Sequence, residues 1–331
     1  RIGGFAGKSD QLAEGEVYGG DPAFYKQRLK NIEGATGDEL AAAGQNALLA
    51  SGRFLLTVLP FPSYQTAKLG ADRSKLPDTG TFPEAAFPAF QKQKLSNGLE
   101  IVCVERHAVP TVEFSLLVDS GSAADPAGLS GLAGMTLNMM DEGTRTKSAV
   151  EISSLQGRLG ARLGLGADDD WATLSLSALR TNLAPSLDLF ADVLLNPSFP
   201  KADFERLRKE ALVRLQSSKL EPASMAGRVL PPLLYGPQHA YGALGGGAGT
   251  EASLAALTPE ALVDYHSRWF KPNNAHLLVV GDTTLAEIVP LLEQRLASWK
   301  PGTVPQKALG PALAIEKPIV YLLDRPGDRK S

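Results

Sequence analysis

An asparagine–glycine pair limits what this chain can fold into more than any other local feature. In residues 95–121, LSNGLEIVCVERHAVPTVEFSLLVDSG, Asn97-Gly98 stands between apolar runs with the alternation of strands. Such a pair favours the positive backbone angles of a tight hairpin, so the segment predicts two or three strands with antiparallel pairing. Helical patterns surround it: residues 128–141, 148–161, 183–196, 202–218, 258–270 and 285–299 carry apolar positions at helical spacing. Several have caps, such as Thr258 before Pro259, and Asn196-Pro197 closes another. Further strands are expected at 171–179 and, as a buried apolar run, at 275–282. Tight strand pairs mixed with helices that pack on one face predict an α+β fold.

The first 50 residues read as three helices, at 8–20, 21–36 and about 38–49. Asp21 is read as a cap before Pro22 at the first helical position. The run at 54–61, FLLTVLPF, reads as a buried strand. From Pro62 to Pro88 the chain is rich in proline, glycine and serine without periodicity, and residues 65–90 are expected to be a linker. A domain follows over 91–300, then a second linker over 301–316. Thr36, Leu40, Leu48, Leu55 and Val58 are repeated at Thr258, Leu262, Phe270, Leu277 and Val280 with one constant offset. Cap, helix, gap and apolar strand therefore occur twice, which points to two copies of one α/β unit.

The chain has 331 residues, 44% hydrophobic and 21% charged, with a net charge of −3. It carries no run of five or more Lys or Arg, so no nucleic-acid footprint is expected. No apolar run approaches the ~20 residues of a membrane span. The single cysteine, Cys103, lies in an apolar strand and reads as a buried thiol. The chain opens on RIGGFAGK, with neither Met nor a leader, and stops just after the strand-like run 319–323. Both ends are expected to be cut from a longer protein.

The sharpest question lies in residues 131–144, GLAGMTLNMMDEGT. A helical zinc site needs ligands at i and i+4, one turn apart on one face. The inverted motif H-x-x-E-H meets this with two histidines, and the glutamate between them acts as general base. The segment resembles the stretch G-x-A-H-x-x-E-H, four residues, G-T of the pitrilysin/insulinase family of zinc peptidases. Gly131, Ala133, Gly143 and Thr144 match. Gly134 stands where the first histidine would be, Leu137 where the glutamate would be, and Asn138 where the second histidine would be. A distal carboxylate, some 75 residues on in that family, would fall among Val213, Arg214 and Leu215, with Glu210 about a turn away.

Other landmarks resemble the same family: the opening strands at 95–122, the turn LLNPSFP at 194–200, HAYG at 239–242, TPEAL at 258–262 and NNAHLLVVGD at 273–282. Their order and spacing are more specific than any one of them. The resemblance implies repeated sheet-plus-helices units of the pitrilysin/mitochondrial processing peptidase-like type. Residues 1–64 would be the C-terminal part of the first-half peptidase domain. Residues 91–300 would be the first domain of the second half, with a degenerate metal motif, and 317–331 the start of a truncated last domain. It also implies a parent that encloses and hydrolyses peptides with zinc held in its catalytic half. This piece, inactive alone, would form chamber wall and substrate-binding surface. Its expected partners are the catalytic half, in the same protein or as a separate subunit, and the peptide substrate. The expected compartment is the bacterial periplasm or outside the cell. No catalytic residue, metal ligand or cofactor is assigned to this chain itself. The alternative is a catalytically dead scaffold subunit of the same fold, such as the core proteins of a respiratory complex. An intact H-x-x-E-H upstream of Arg1 would separate the two.

Other constellations read as structural. The helix at 128–141 is read as a core helix, packed through Leu132, Met135, Met139 and Met140. His107, His239, His266 and His276 include no pair at ligand spacing. Asp168-Asp169-Asp170 lacks the glycine and glutamate of a calcium loop and reads as a solvated turn. Residues 245–250, GGGAGT, have no preceding buried strand and no following lysine, which argues for a mobile loop over a phosphate cradle. No G-x-S-x-G nucleophile elbow occurs.

Overall fold

The computed structural model describes residues 4–49, 88–243, 246–314 and 317–322. The chain divides into two compact units, residues 1–86 and 87–331.

In the first unit, α1 (Gly4–Gly19), α2 (Phe24–Gly34) and α3 (Gly37–Gly44) follow one another, and α3 runs on into a π-helical turn at Gln45–Leu49. The reading of Asp21 as a cap with Pro22 at the first helical position is corrected. Asp21 and Pro22 form a turn in which Asp21 Oδ1 accepts the Ala23 N–H at 2.8 Å, and α2 begins only at Phe24. Thr36 does cap α3, its hydroxyl accepting the Glu39 N–H while Glu39 reaches back to the Thr36 N–H. The apolar run at 54–61 and the expected linker at 65–90 up to residue 87 lie outside the described residues.

The second unit is built on a six-stranded sheet. Its strands are β1 (Gln91–Lys94), β2 (Glu100–Glu105), β3 (Thr111–Val118), β4 (Arg162–Ala167), β5 (Ala172–Leu179) and β6 (Ala275–Gly281). The spatial order is β1-β2-β6-β3-β5-β4, and every pairing is antiparallel except β2 with β6. The Asn97-Gly98 turn joins β1 to β2, with Gly98 at φ 92°. There the Asn97 side chain accepts the Leu99 N–H and donates to the Leu296 carbonyl.

Eight helices accompany the sheet: α4 (Leu132–Met140), α5 (Ala149–Leu159), α6 (Leu183–Leu195), α7 (Lys201–Ser218), α8 (Pro222–Tyr235), α9 (Glu251–Ala256), α10 (Pro259–Trp269) and α11 (Leu285–Leu296). Local chemistry fixes where several begin. Ser148 with Glu151, and Thr284 with Glu287, close capping boxes on α5 and α11, and Thr258 caps α10 ahead of Pro259. Each such cap stabilises by about 1 kcal/mol.

One face of the sheet makes the core. Ile101, Cys103, Phe114, Leu116, Leu174, Leu176, Leu277 and Val279 are buried there against helix side chains such as Leu137, Met139, Phe190 and Val193. Burial lifts the Cys103 thiol above its ordinary pKa, as an inert core sulfur requires. The reading of 275–282 as a fully buried strand is corrected. Burial alternates along β6, and Leu278 and Val280 on the other face keep 37% and 38% of their surface. The run expected as a strand at 319–323 is neither helix nor strand over its described residues 319–322.

Candidate functional site

Helix α4 carries the metal-motif positions, and its geometry is fixed at both ends. Gly131 precedes it in the left-handed region at φ 94°. The carboxylate of Asp125 accepts the N–H groups of Gly131 and Ala133, both at 2.8 Å, closing the helix start. Burial pushes this carboxyl up to about 7, against the pull of those two N–H groups. Asp125 lines a cavity of about 690 Å³. Both its oxygens are committed to the cap, so it acts as a structural acid.

Beyond α4, Gly143 and Thr144 form isolated β-bridges with Ser148 and Pro197. A Cβ on Gly143 would stand 3.1 Å from Ser198 Oγ and 3.2 Å from Pro200 Cγ. Thr144 Oγ1 donates to Asp192 Oδ2 at 2.8 Å, and the same oxygen takes bonds from Thr146 Oγ1 and Lys147 Nζ. Asn196 Nδ2 bonds the other oxygen. Burial raises the Asp192 carboxyl, but the contacts with Lys147, Thr144 and Asn196 outweigh it and leave the group below its ordinary pKa. The Gly-Thr frame thus ties the end of α4 to α6.

The three motif positions point different ways. Leu137 is completely buried in the core. Gly134 and Asn138, one turn apart, both border a cavity of about 390 Å³. Across it stand Arg214 and Leu215 of α7, two of the three positions at which the family resemblance put the distal ligand. Val213, the third, is 62% exposed. Glu210 pairs with Arg206 at 3.1 Å and with Arg214 at 3.8 Å.

These residues do not fit a zinc ion. The positions offer one amide and no imidazole, thiolate or carboxylate, whereas a zinc site takes three or four such donors. The position that the resemblance aligns with the first ligand is also tight on one side. A Cβ on Gly134 would lie 3.1 Å from the Gly247 carbonyl oxygen, and one on Gly131 would lie 3.3 Å from Gly249 Cα. The described part of the glycine-rich loop expected to be mobile, residues 246–249, therefore packs on α4. Among the described residues no group of three or more His, Cys, Asp or Glu is placed to hold a metal.

The remaining constellations have structural partners. His107 Nδ1 lies 2.7 Å from Asp282 Oδ1, and this contact raises its pKa. His239 accepts the Tyr241 N–H, and His276 lies 3.3 Å from Glu100. His266 is half-buried with Nε2 turned inward, 2.9 Å from the Leu194 carbonyl; burial drives it down to about 4. The reading of Asp168–Asp170 as a merely solvated turn is corrected. Its three carbonyls accept the N–H groups of Gly121, Ser122 and Ala123, and the Asp170 side chain accepts the Tyr241 hydroxyl.

A family model for insulinase (peptidase family M16) matches residues 100–238, and one for the peptidase M16 inactive domain matches residues 256–329. The chain belongs to the insulinase family, M16. The second match begins ahead of β6, so the sheet itself is shared between the two models. Relatives include an uncharacterized zinc protease of Mycobacterium leprae, 26% identical over 67% of this chain and 52% of its own length. Another is zinc protease YmxG of Bacillus subtilis, 25% identical over 69% of this chain and 53% of its own length. The chain thus spans about half the length of the curated relatives it matches. A solved peptidase M16 inactive domain from Pseudomonas fluorescens superposes with a TM-score of 0.60 at 29% identity, covering 70% of this chain and 54% of that one. The periplasmic protease PqqL of Escherichia coli, at 20% identity and a TM-score of 0.62 over 70% of this chain and 26% of that one, shares the fold. No helix among the described residues is long and apolar enough to cross a membrane.

Proposed function

We propose that this chain is a non-catalytic part of a two-half zinc metalloendopeptidase, forming chamber wall and peptide-binding surface while zinc resides in the parent's catalytic half. Residues 1–64 would close the first half, 65–90 link the halves, 91–300 form the degenerate first domain of the second half, 301–316 be a second linker, and 317–331 begin a last domain. The carrying observation is the site that surrounds α4. Its frame of Gly131, Ala133, Gly143 and Thr144 is intact, while Gly134, Leu137, Asn138, Arg214 and Leu215 provide no metal donor set.

The sheet supports a peptide-binding role. Among the described residues strand β4, RLGLGA, pairs with β5 alone and leaves its other edge without a strand partner, although Gln156 Oε1 already accepts the Leu163 N–H at 2.8 Å. A free edge accepts an extended peptide through backbone hydrogen bonds. Space beside Gly166, where a Cβ would meet nothing within 4 Å, suits the close approach of another backbone. The PqqL neighbour is described as periplasmic, which supports a periplasmic or secreted location for the parent.

The test is the metal content of the purified chain by elemental mass spectrometry, beside peptide hydrolysis with and without a chelator and peptide binding by anisotropy. Binding without zinc or chelator-sensitive cleavage is expected. Stoichiometric zinc with cleavage would overturn the assignment, and failure to bind any peptide would favour the dead-scaffold alternative.

A further inference from the structure

The cavity beside Gly134 and Asn138 carries charge of the opposite sign to a metal-ligand site. Its only charged lining groups among the described residues are Arg214 and Arg228. Arg214 is held by one long contact, 3.8 Å to Glu210, and its side chain is 63% exposed. Arg228 donates one bond, 3.2 Å, to the Gly249 carbonyl. The nearest acid in sequence to that loop, Glu251, is already engaged by Lys219. Neither guanidinium has a close carboxylate partner, so each retains donors for a ligand in the cavity it lines.

The rest of the lining narrows the ligand. Asn138 and Ser224 present side chains with no protein hydrogen bond, and Met135, Leu207, Leu215 and Leu254 supply an apolar floor. Among the described residues no aromatic side chain lines the cavity, so none of them would stack on a nucleobase. A volume of about 390 Å³ accommodates one amino-acid residue with its backbone end, not a folded partner.

We propose that this cavity binds the free α-carboxylate of a peptide whose last residue is apolar. The carboxylate pairs with Arg214 and Arg228 through charge-assisted hydrogen bonds, and the terminal side chain rests on the leucines and Met135. Loss of the metal ligands at 134 and 138, with an arginine at 214, converts a cation site into an anion site. The assignment rests on the reading of this chain as a peptide-binding wall and specifies which end of the peptide the wall holds.

The test is fluorescence anisotropy on the full 331-residue chain, with N-terminally labelled Gly-Ala-Ala-Ala-Leu as the free acid and as the C-terminal amide. The amide should bind about tenfold more weakly, the equivalent of about 1.4 kcal/mol. Arg214→Gln, at an exposed position, should weaken the acid about tenfold and leave the amide unchanged. Equal binding of acid and amide overturns the carboxylate site while the peptide-wall reading stands. An amide penalty that Arg214→Gln does not abolish places the carboxylate elsewhere and overturns it as well. Absence of binding by either peptide at millimolar concentration overturns both.

Discussion

The carbonyl oxygen of Gly247 stands 3.1 Å from the point where a Cβ on Gly134 would lie. Two glycines far apart in sequence thus meet at the position that the family resemblance aligns with a first metal ligand. Glycine at 134 admits the backbone of a loop close to α4. On that reading, a metal site here would take more than the ligands themselves.

Gly134→His should destabilise the chain by about 1–3 kcal/mol, because the loop must give way to any side chain there. Thermal melting followed by circular dichroism reads this directly. The triple variant with Leu137→Glu and Asn138→His should bind well below one equivalent of zinc. Full zinc occupancy would show that the loop and Arg214 move aside at little cost.

Leu137, which the family resemblance aligns with a catalytic base, has no exposed surface. Leu137→Ala should cost about 2–5 kcal/mol by leaving a cavity in the core. Urea unfolding should show a lower midpoint at an unchanged slope. A neutral result would mean that this position is not a core position.

Asp192 receives bonds from Thr144, Thr146, Lys147 and Asn196. Asp192→Ala strands a buried threonine hydroxyl and a half-buried ammonium, and should cost about 2–3 kcal/mol. Because its folded pKa is depressed, the carboxylate's contribution is present above the unfolded value near 4 and is lost as pH falls through the folded one. Wild type should lose this margin on acidification, and Asp192→Ala, which has already lost it, should not.

His266 titrates in the same sense. Its folded pKa, about 4, lies below the unfolded value near 6.5, so between them the unfolded state binds more protons. The His266 contribution should be full above about pH 6.5 and fall by roughly 1–3 kcal/mol as pH approaches 4. Asp125, raised to about 7, works the other way: its contribution is fully present below the unfolded value near 4 and lost as pH rises through 7. His266→Gln retains a donor for the Leu194 carbonyl and should flatten the acid limb in urea titrations from pH 7 to 4.5. An unchanged limb would mean that His266 does not control it.

Much of this fold is legible in short windows. The Asn97-Gly98 hairpin, the threonine and serine caps and the alternation of β5 depend on neighbours a few residues away. Strand β4 is hidden by its two glycines, which remove the side chains that would mark alternation. Helix α8 is hidden by Gly227, Pro231 and Pro232, which propensity reads as breakers, although the chain stays helical through them. In β6 the unbroken apolar run implies two covered faces, and the fold covers one.

The sequence by itself determined the α+β class, the course of α4 with its Gly-Thr stop, and the absence of zinc donors at 134, 137 and 138. These follow from residue identity and short-range spacing. Only the tertiary structure decided what took the metal's place. The approach of Gly247 to Gly134, and the placing of Arg214 and Arg228 around one cavity with an apolar floor, depend on how separate helices and a loop pack. Charge neighbourhood and free volume are properties of that packing, which no local window of the chain contains.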